Sequence, residues 1–96
     1  MAYKVIFDRR AVSDLNDIFD YLVQRSPGGA KNVIDDIRSA ISILEEWPRI
    51  GVEMQKRSTR MRISPKYRYR ILYEVDEDHV RIRQIVHGNR NTPTRR

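Results

Sequence analysis

The sequence predicts an α+β fold: β-α-α-β-β-β, with a helical hairpin packed on one face of a small, mainly antiparallel sheet. Three observations predict it. Apolar residues recur at helical spacing from Ala11 to Leu44, which marks two amphipathic helices. After Arg49 the period shortens to two, as in half-buried strands. Between the two helical stretches stands Ser26-Pro27-Gly28-Gly29, a break so short that the helices must turn back on each other.

Each element has its own signal. Residues 3–7, Tyr-Lys-Val-Ile-Phe, read as a short strand, and Asp8 is placed to cap the helix that follows. Ala11, Leu15, Ile18, Phe19 and Leu22 form one stripe of that helix, with Asp14, Asp17, Asp20 and Arg25 set off it. Ser26 is a candidate N-cap for the second helix, with Pro27 at its first position. Ala30, Val33, Ile34, Ile37, Ile41 and Leu44 form the second stripe, which ends near Trp47-Pro48, and Trp47 is expected in the core. Residues 59–63 read as a strand, Ser64-Pro65-Lys66 as a turn, residues 67–75 as the clearest strand, Asp76-Glu77-Asp78 as an acidic turn, and residues 80–87 as the returning strand. Residues 88–96 have the composition of a loose tail, and the whole of 1–96 is expected to be a single domain.

Parity along the last two strands predicts which side chains share a face. Tyr69, Ile71, Tyr73 and Val75 alternate with Arg68, Arg70, Leu72 and Glu74. With a loop over residues 76–79, Val75 faces Val80, Tyr73 meets Ile82, Glu74 meets Arg81, and Arg68 meets His87. Val80, Ile82 and Val86 then cover the helices, which also places Tyr73 in the core. Arg68, Arg70, Arg81, Arg83 and His87 collect on an open face, with Ile85 among them and Glu74 as partial neutraliser. That open basic face is the predicted seat of function. The assignment depends on register, because a slip of one residue exchanges the faces.

Charge points the same way. The formal net charge is +6, and the halves differ. Residues 1–48 hold six basic against eight acidic side chains, and residues 49–96 hold thirteen against five. A basic half rich in arginine expects an acidic partner. With no cysteine, disulfide scaffolds, thiol nucleophiles and thiolate zinc sites are excluded. His79 and His87 are too few for a histidine metal site, so no metal and no cofactor is expected. No apolar run has the length of a signal peptide core or a membrane span, so no membrane partner and a cytoplasmic setting are expected.

The ordered motifs resemble the RelE/ParE superfamily of toxins from bacterial type II toxin–antitoxin modules. Val5-Ile6-Phe7-Asp8, Ala11, Asp14-Leu15, Ile18 and Tyr21-Leu22 resemble its first strand and helix. Leu44, Pro48 and Gly51 resemble the close of its second helix. Tyr69-Arg70-Ile71-Leu72-Tyr73-Glu74-Val75 resembles the signature strand, and Ile85-Val86-His87-Gly88-Asn89-Arg90 the ending. The resemblance implies a plasmid-stabilisation-type toxin that arrests growth and is held inactive in a hetero-oligomer with a cognate antitoxin protein. The antitoxin would wrap an extended, often acidic segment over it, a disordered segment that folds on binding.

Two outlets follow from the resemblance. ParE-like members poison DNA gyrase and need no catalytic residue. RelE-like members act on the ribosome and cut mRNA. Such cleavage needs proton transfer and positive charge on the developing phosphorane, and in that case Arg70, His87 and Arg90 are the catalytic candidates. The lysine-rich stretch usual before the RelE-like signature strand is reduced to Lys56, and no tyrosine or histidine follows Arg90. These departures favour the ParE-like outlet. In either case Lys56, Arg57, Arg60, Arg68, Arg70, Arg81, Arg83 and Arg90 are the candidate contacts to target or antitoxin. A further alternative is a non-toxic, small basic nucleic-acid-binding module, although no RNP-like or helix-turn-helix segment supports it.

Overall fold

The computed structural model describes residues 2–54 and 58–87. Its elements are β1 (Lys4–Phe7), α1 (Arg9–Arg25), α2 (Pro27–Ser42), a short 3-10 turn (Ile43–Glu45), β2 (Val52–Glu53), β3 (Thr59–Ile63), β4 (Tyr69–Val75) and β5 (His79–His87). This is the predicted order with one two-residue strand, β2, added. The five strands form one sheet in the spatial order β1-β5-β4-β3-β2. β1 runs parallel to β5, and all other pairs are antiparallel. The amides of Lys4 and Asp8 donate to the carbonyls of Asp78 and Ile82, extending the parallel ladder at both ends.

The helical hairpin forms as the break predicts. Ser26 caps α2, its Oγ accepting from the Gly29 amide at 3.1 Å, and Pro27 takes the first turn, where an amide has no helical partner. Asp8 differs from expectation. Its backbone starts α1, but its side chain makes no capping hydrogen bond, because two arginines of β5 claim the carboxylate.

The core lies between the hairpin and one face of the sheet. It is built from Ala11 on α1, Val33, Ile37, Ala40 and Ile41 on α2, Leu44 in the 3-10 turn, and Tyr69, Ile71, Tyr73, Val80, Ile82 and Ile85 on the strands. Two large apolar residues depart from the sequence reading. Phe19 lies at the margin of the α1 stripe and is 41 % exposed. Trp47, expected in the core, is 65 % exposed. The helix gives way to the 3-10 turn at Ile43, so Leu44 takes the last interior position and the chain reaches Trp47 facing solvent, with Pro48 buried behind it.

Tyr73 anchors this loop from below. It is wholly buried, and its hydroxyl donates to the Pro48 carbonyl at 2.6 Å and accepts from the Gly51 amide at 2.9 Å. Burial pushes the phenol upward in pKa against the opposing Gly51 hydrogen bond and nearby arginine charges, so it stays protonated and can donate. Gly51 is required by this approach. A Cβ there would stand 2.5 Å from the Tyr73 hydroxyl and 2.7 Å from the Met61 carbonyl oxygen, far inside contact distance. Tyr73→Phe leaves the Gly51 amide and Pro48 carbonyl without their partner. It should lower unfolding free energy by about 1–3 kcal/mol in urea denaturation, and an unchanged midpoint would mean the hydroxyl is dispensable.

The β3–β4 turn is held from the helices. The Ser64 amide donates to the Tyr69 carbonyl, the Arg68 amide to the Ser64 carbonyl, and the Tyr69 amide to Ser64 Oγ. Arg68 takes a left-handed backbone with φ of 62°, a conformation that costs a non-glycine residue roughly 1–2 kcal/mol. From α2 the buried carboxylate of Asp36 accepts the amides of Lys66 at 3.1 Å and Tyr67 at 2.7 Å. Burial alone would raise this carboxyl. The Tyr67 amide, the Ser64 hydroxyl, the Lys66 amide and the Lys66 ammonium outweigh it, and the pKa falls below the ordinary 3.8. A carboxyl with a lowered folded pKa contributes stability that is complete above its unfolded pKa and is lost as pH falls through the folded one. Asp36→Asn should therefore lower stability at pH 7 and flatten the acid decline below about pH 4; parallel stability–pH curves for the two proteins would contradict this.

Candidate functional site

The register of β4 and β5 decides what the open face carries. Val75, Glu74 and Tyr73 pair with Val80, Arg81 and Ile82 as the sequence predicts. The next pair is Leu72 with Gln84, which leaves Arg83 without a partner. Arg83 is thus the extra residue of a β-bulge, and it reverses the alternation for the rest of β5. Ile85 turns into the core, and Val86 pairs with Arg70 on the open face. His87 pairs with Tyr69, not Arg68, and so falls on the helix face. There its ring stands edge-on to that of Tyr69, with centroids 4.7 Å apart, beside a cleft that Asp17, Tyr21 and Leu22 also line. Ile85 and His87 on the open face, Val86 on the apolar face, and an Arg68–His87 pair are therefore corrected.

Asp14 holds the bulge in place. Its Oδ2 accepts the Ile85 amide at 2.9 Å, while Oδ1 accepts Arg10 Nε at 3.2 Å. The sequence reading set Asp14 off the α1 stripe. The signal for its inward position was present, since it follows Ala11 by three residues and precedes Ile18 by four.

β3 contributes differently from a simple basic strand. Arg60 and Arg62 pair with Tyr73 and Ile71 and so share the helix face. Arg60 donates to the carbonyls of Arg49 and Gly51 at 3.1 and 2.9 Å. Arg62 Nε donates to the Ala40 carbonyl at 3.0 Å, satisfying a carbonyl in the last turn of α2, where a cation also suits the helix dipole.

What remains on the open face is amphipathic. Val52, Met61 and Leu72 stand in register across β2, β3 and β4, and Ile63, Arg70 and Val86 across β3, β4 and β5. Arg70 is exposed beside this apolar strip. Towards the β1 edge lies an ionic chain. Arg83 reaches Asp8 Oδ2 through Nε and Glu74 Oε2 through Nη1, both at 2.7 Å, and Arg81 Nη1 approaches Asp8 Oδ1 at 3.4 Å. Asp8 and Glu74 thus offset two of the arginines assigned to the basic face. Of the other candidates, Arg68 lies in the β3–β4 turn. Lys56, Arg57 and Arg90 lie outside the described residues. Among the described residues, no group of three or more His, Asp or Glu side chains could hold a metal ion, and no helix is long and apolar enough to cross a membrane.

This architecture and its motif strand have relatives. The family model of the ParE toxin of the type II toxin–antitoxin system parDE matches residues 5–92. The chain belongs to the ParE toxin family. Its fold is shared with a chain of the chromosomal ParDE toxin–antitoxin system from P. aeruginosa. That likeness has a TM-score of 0.79 and 19 % identity, and covers 92 % of this chain and 98 % of that one. It is also similar to a chain of the toxin–antitoxin complex RelBE2 from Mycobacterium tuberculosis, at a TM-score of 0.62 and 24 % identity over 91 % and 99 % of the two chains. No curated protein matches it. Within the matched range β4 supplies Tyr73 and Ile71 to the core, and its Arg70 reaches the open face.

Because the bulge sets both the core and the open face of this ParE-family chain, its support can be tested directly. Asp14→Ala removes a charged acceptor from a backbone amide and should cost about 1.5–3 kcal/mol in denaturant unfolding. The Ile85 amide should also exchange with deuterium faster than its neighbours in β5. Unchanged exchange at Ile85 would show that the bulge holds without Asp14.

Proposed function

We propose that this toxin arrests growth by ParE-like inhibition of DNA gyrase and is neutralised by a cognate antitoxin. The observation that carries the reading is the ParE family match over residues 5–92. The register adds physical support. Phosphodiester cleavage by a 2′-hydroxyl needs a proton-transferring group and a cation on one phosphate. Arg70 pairs with Val86 on the open face, while His87 pairs with Tyr69 on the helix face, so the two do not converge. Inhibition by binding demands no such constellation.

The antitoxin is proposed to lay an extended acidic segment over the open face. The strip of Met61, Leu72, Ile63 and Val86 offers apolar contact, and Arg70 offers charge. A titrated complex of toxin and antitoxin should weaken as salt is raised from 0.05 to 0.5 M, as exposed ion pairs are screened over roughly 10 Å at 0.1 M; an affinity indifferent to salt would place the antitoxin on an apolar surface instead. The target is tested by inducing the chain alone in bacteria and pulse-labelling DNA and protein in one culture. DNA synthesis should fall first. A prompt fall in protein synthesis with DNA synthesis continuing would overturn the gyrase reading in favour of ribosome-dependent mRNA cleavage. Arg70→Ala combined with Arg90→Ala should abolish the arrest with the fold intact, whereas full toxicity of the double variant would remove these two arginines from the mechanism.

A further inference from the structure

The end of β5 brings the chain against α1. His87, on the helix face, lines a cleft of about 470 Å³ with Asp17, Ile18, Tyr21, Leu22 and Tyr69. The walls are apolar and aromatic, and Asp17 is the carboxylate among them. The other charges nearby are engaged elsewhere or lie outside the lining. Arg10 lies on Asp14, which also holds the Ile85 amide. Arg25 covers one face of the Tyr21 ring, 4.4 Å from its centroid. Arg68 and Asp20 are exposed beyond the cleft. Asp17 itself makes no hydrogen bond or ion pair among the described residues. The surroundings are thus of mixed charge, and what distinguishes the cleft is one unpaired carboxylate among aromatic walls. That arrangement fits a single guanidinium, which pairs with a carboxylate and lies well against aromatic rings.

The sequence supplies that guanidinium within reach. Residues 88–96, Gly-Asn-Arg-Asn-Thr-Pro-Thr-Arg-Arg, follow His87 and hold three arginines and no acidic side chain. The first, Arg90, is three residues beyond a side chain that lines the cleft. Three residues of extended chain reach up to about 10 Å, and the arginine side chain adds its own length. A group tethered this closely acts at an effective concentration in the millimolar range, which favours it over the cation of a separate partner. We propose that the segment 88–96 docks against α1 through this cleft, with the Arg90 guanidinium on Asp17 and against the aromatic walls. The docking puts Arg90 on the helix side of the sheet, whereas Arg70 stands on the open face. Arg90 is then a positioning residue for its own segment, and the two arginines serve different faces. This docking is independent of which target the toxin takes.

The test uses the whole chain with Asp17→Asn, Arg90→Gln and, as a control, Asp20→Asn, an exposed carboxylate of α1 outside the cleft. Urea midpoints establish that the variants keep the fold. The initial rate of trypsin cleavage after Arg90 is followed by mass spectrometry. Cleavage tracks the undocked fraction when docking is fast. Asp17→Asn should therefore be cut about fivefold faster than the unaltered chain, the factor expected for one ion pair with an aromatic contact. Asp20→Asn should be cut at the unaltered rate. In solution NMR the ring protons of Tyr69 and His87 should shift alike in Arg90→Gln and Asp17→Asn. Equal cleavage of Asp17→Asn and the unaltered chain overturns the proposal, as does equal acceleration in Asp20→Asn. Ring signals that ignore Arg90→Gln but move when arginine amide is titrated into the unaltered chain would give the cleft to a partner's cation and overturn it too. If Asp17→Asn loses stability, the ring shifts in Arg90→Gln decide.

Discussion

The extra residue at Arg83 is the constraint on which the rest of the sheet depends. Without it, strict alternation would drive Ile85 out of the core and His87 onto the open face. With it, the second half of β5 meets the helices through Ile85, and the open face receives Val86 beside Arg70. Bulges sharpen local twist and re-aim side chains. This one also brings Arg83 between Asp8 and Glu74, where its guanidinium joins β1 to β4 across the face of β5. One unpaired residue thereby sets the core contents, the position of the imidazole and the ionic pattern on the open face.

The helices support the irregular parts of the sheet by a shared device. Asp14 on α1 accepts the amide of Ile85 next to the bulge, and Asp36 on α2 accepts two amides of the β3–β4 turn. In both places the strand ladder leaves backbone donors without a sheet partner, and an inward carboxylate supplies one. An unsatisfied amide there would cost about 1–3 kcal/mol. The arginines of β3 act in the opposite sense, donating to carbonyls at the end of α2 and in the loop that follows it. Charge along this chain is therefore of two kinds: part is structural and turned inward, and part, such as Arg70, is displayed.

That division alters how a basic toxin surface is understood. The excess of arginine in the second half of the chain suggested a broad electrostatic face. The fold spends Arg60 and Arg62 on carbonyls and Arg81 and Arg83 on Asp8 and Glu74. Among the described residues, the open face that results is an apolar strip with Arg70 as a localised cation beside it.

The sequence by itself determined the element order, the helical hairpin with its Ser26 cap, the three main strands, the hairpin pairing from Tyr73–Ile82 to Val75–Val80, and the family. Each rests on local chemistry: turn residues, a capping hydroxyl, a period of 3.6 or of 2, and a motif strand. Tertiary structure decided what local rules leave open. A bulge inside an apolar-alternating strand has no marker in its own residues, because Arg83 and Gln84 suit an outward position with or without it. Asp14 and Asp36 lie at core spacing, but a carboxylate becomes an interior acceptor only when a distant amide lacks a partner. Trp47 follows an apolar stripe, yet the 3-10 turn before it rotates the chain outward. Asp8 had the composition of a cap, and arginines more than seventy residues away in sequence took its side chain. In each case the deciding partner is supplied by another element, and only the packed chain brings the two together.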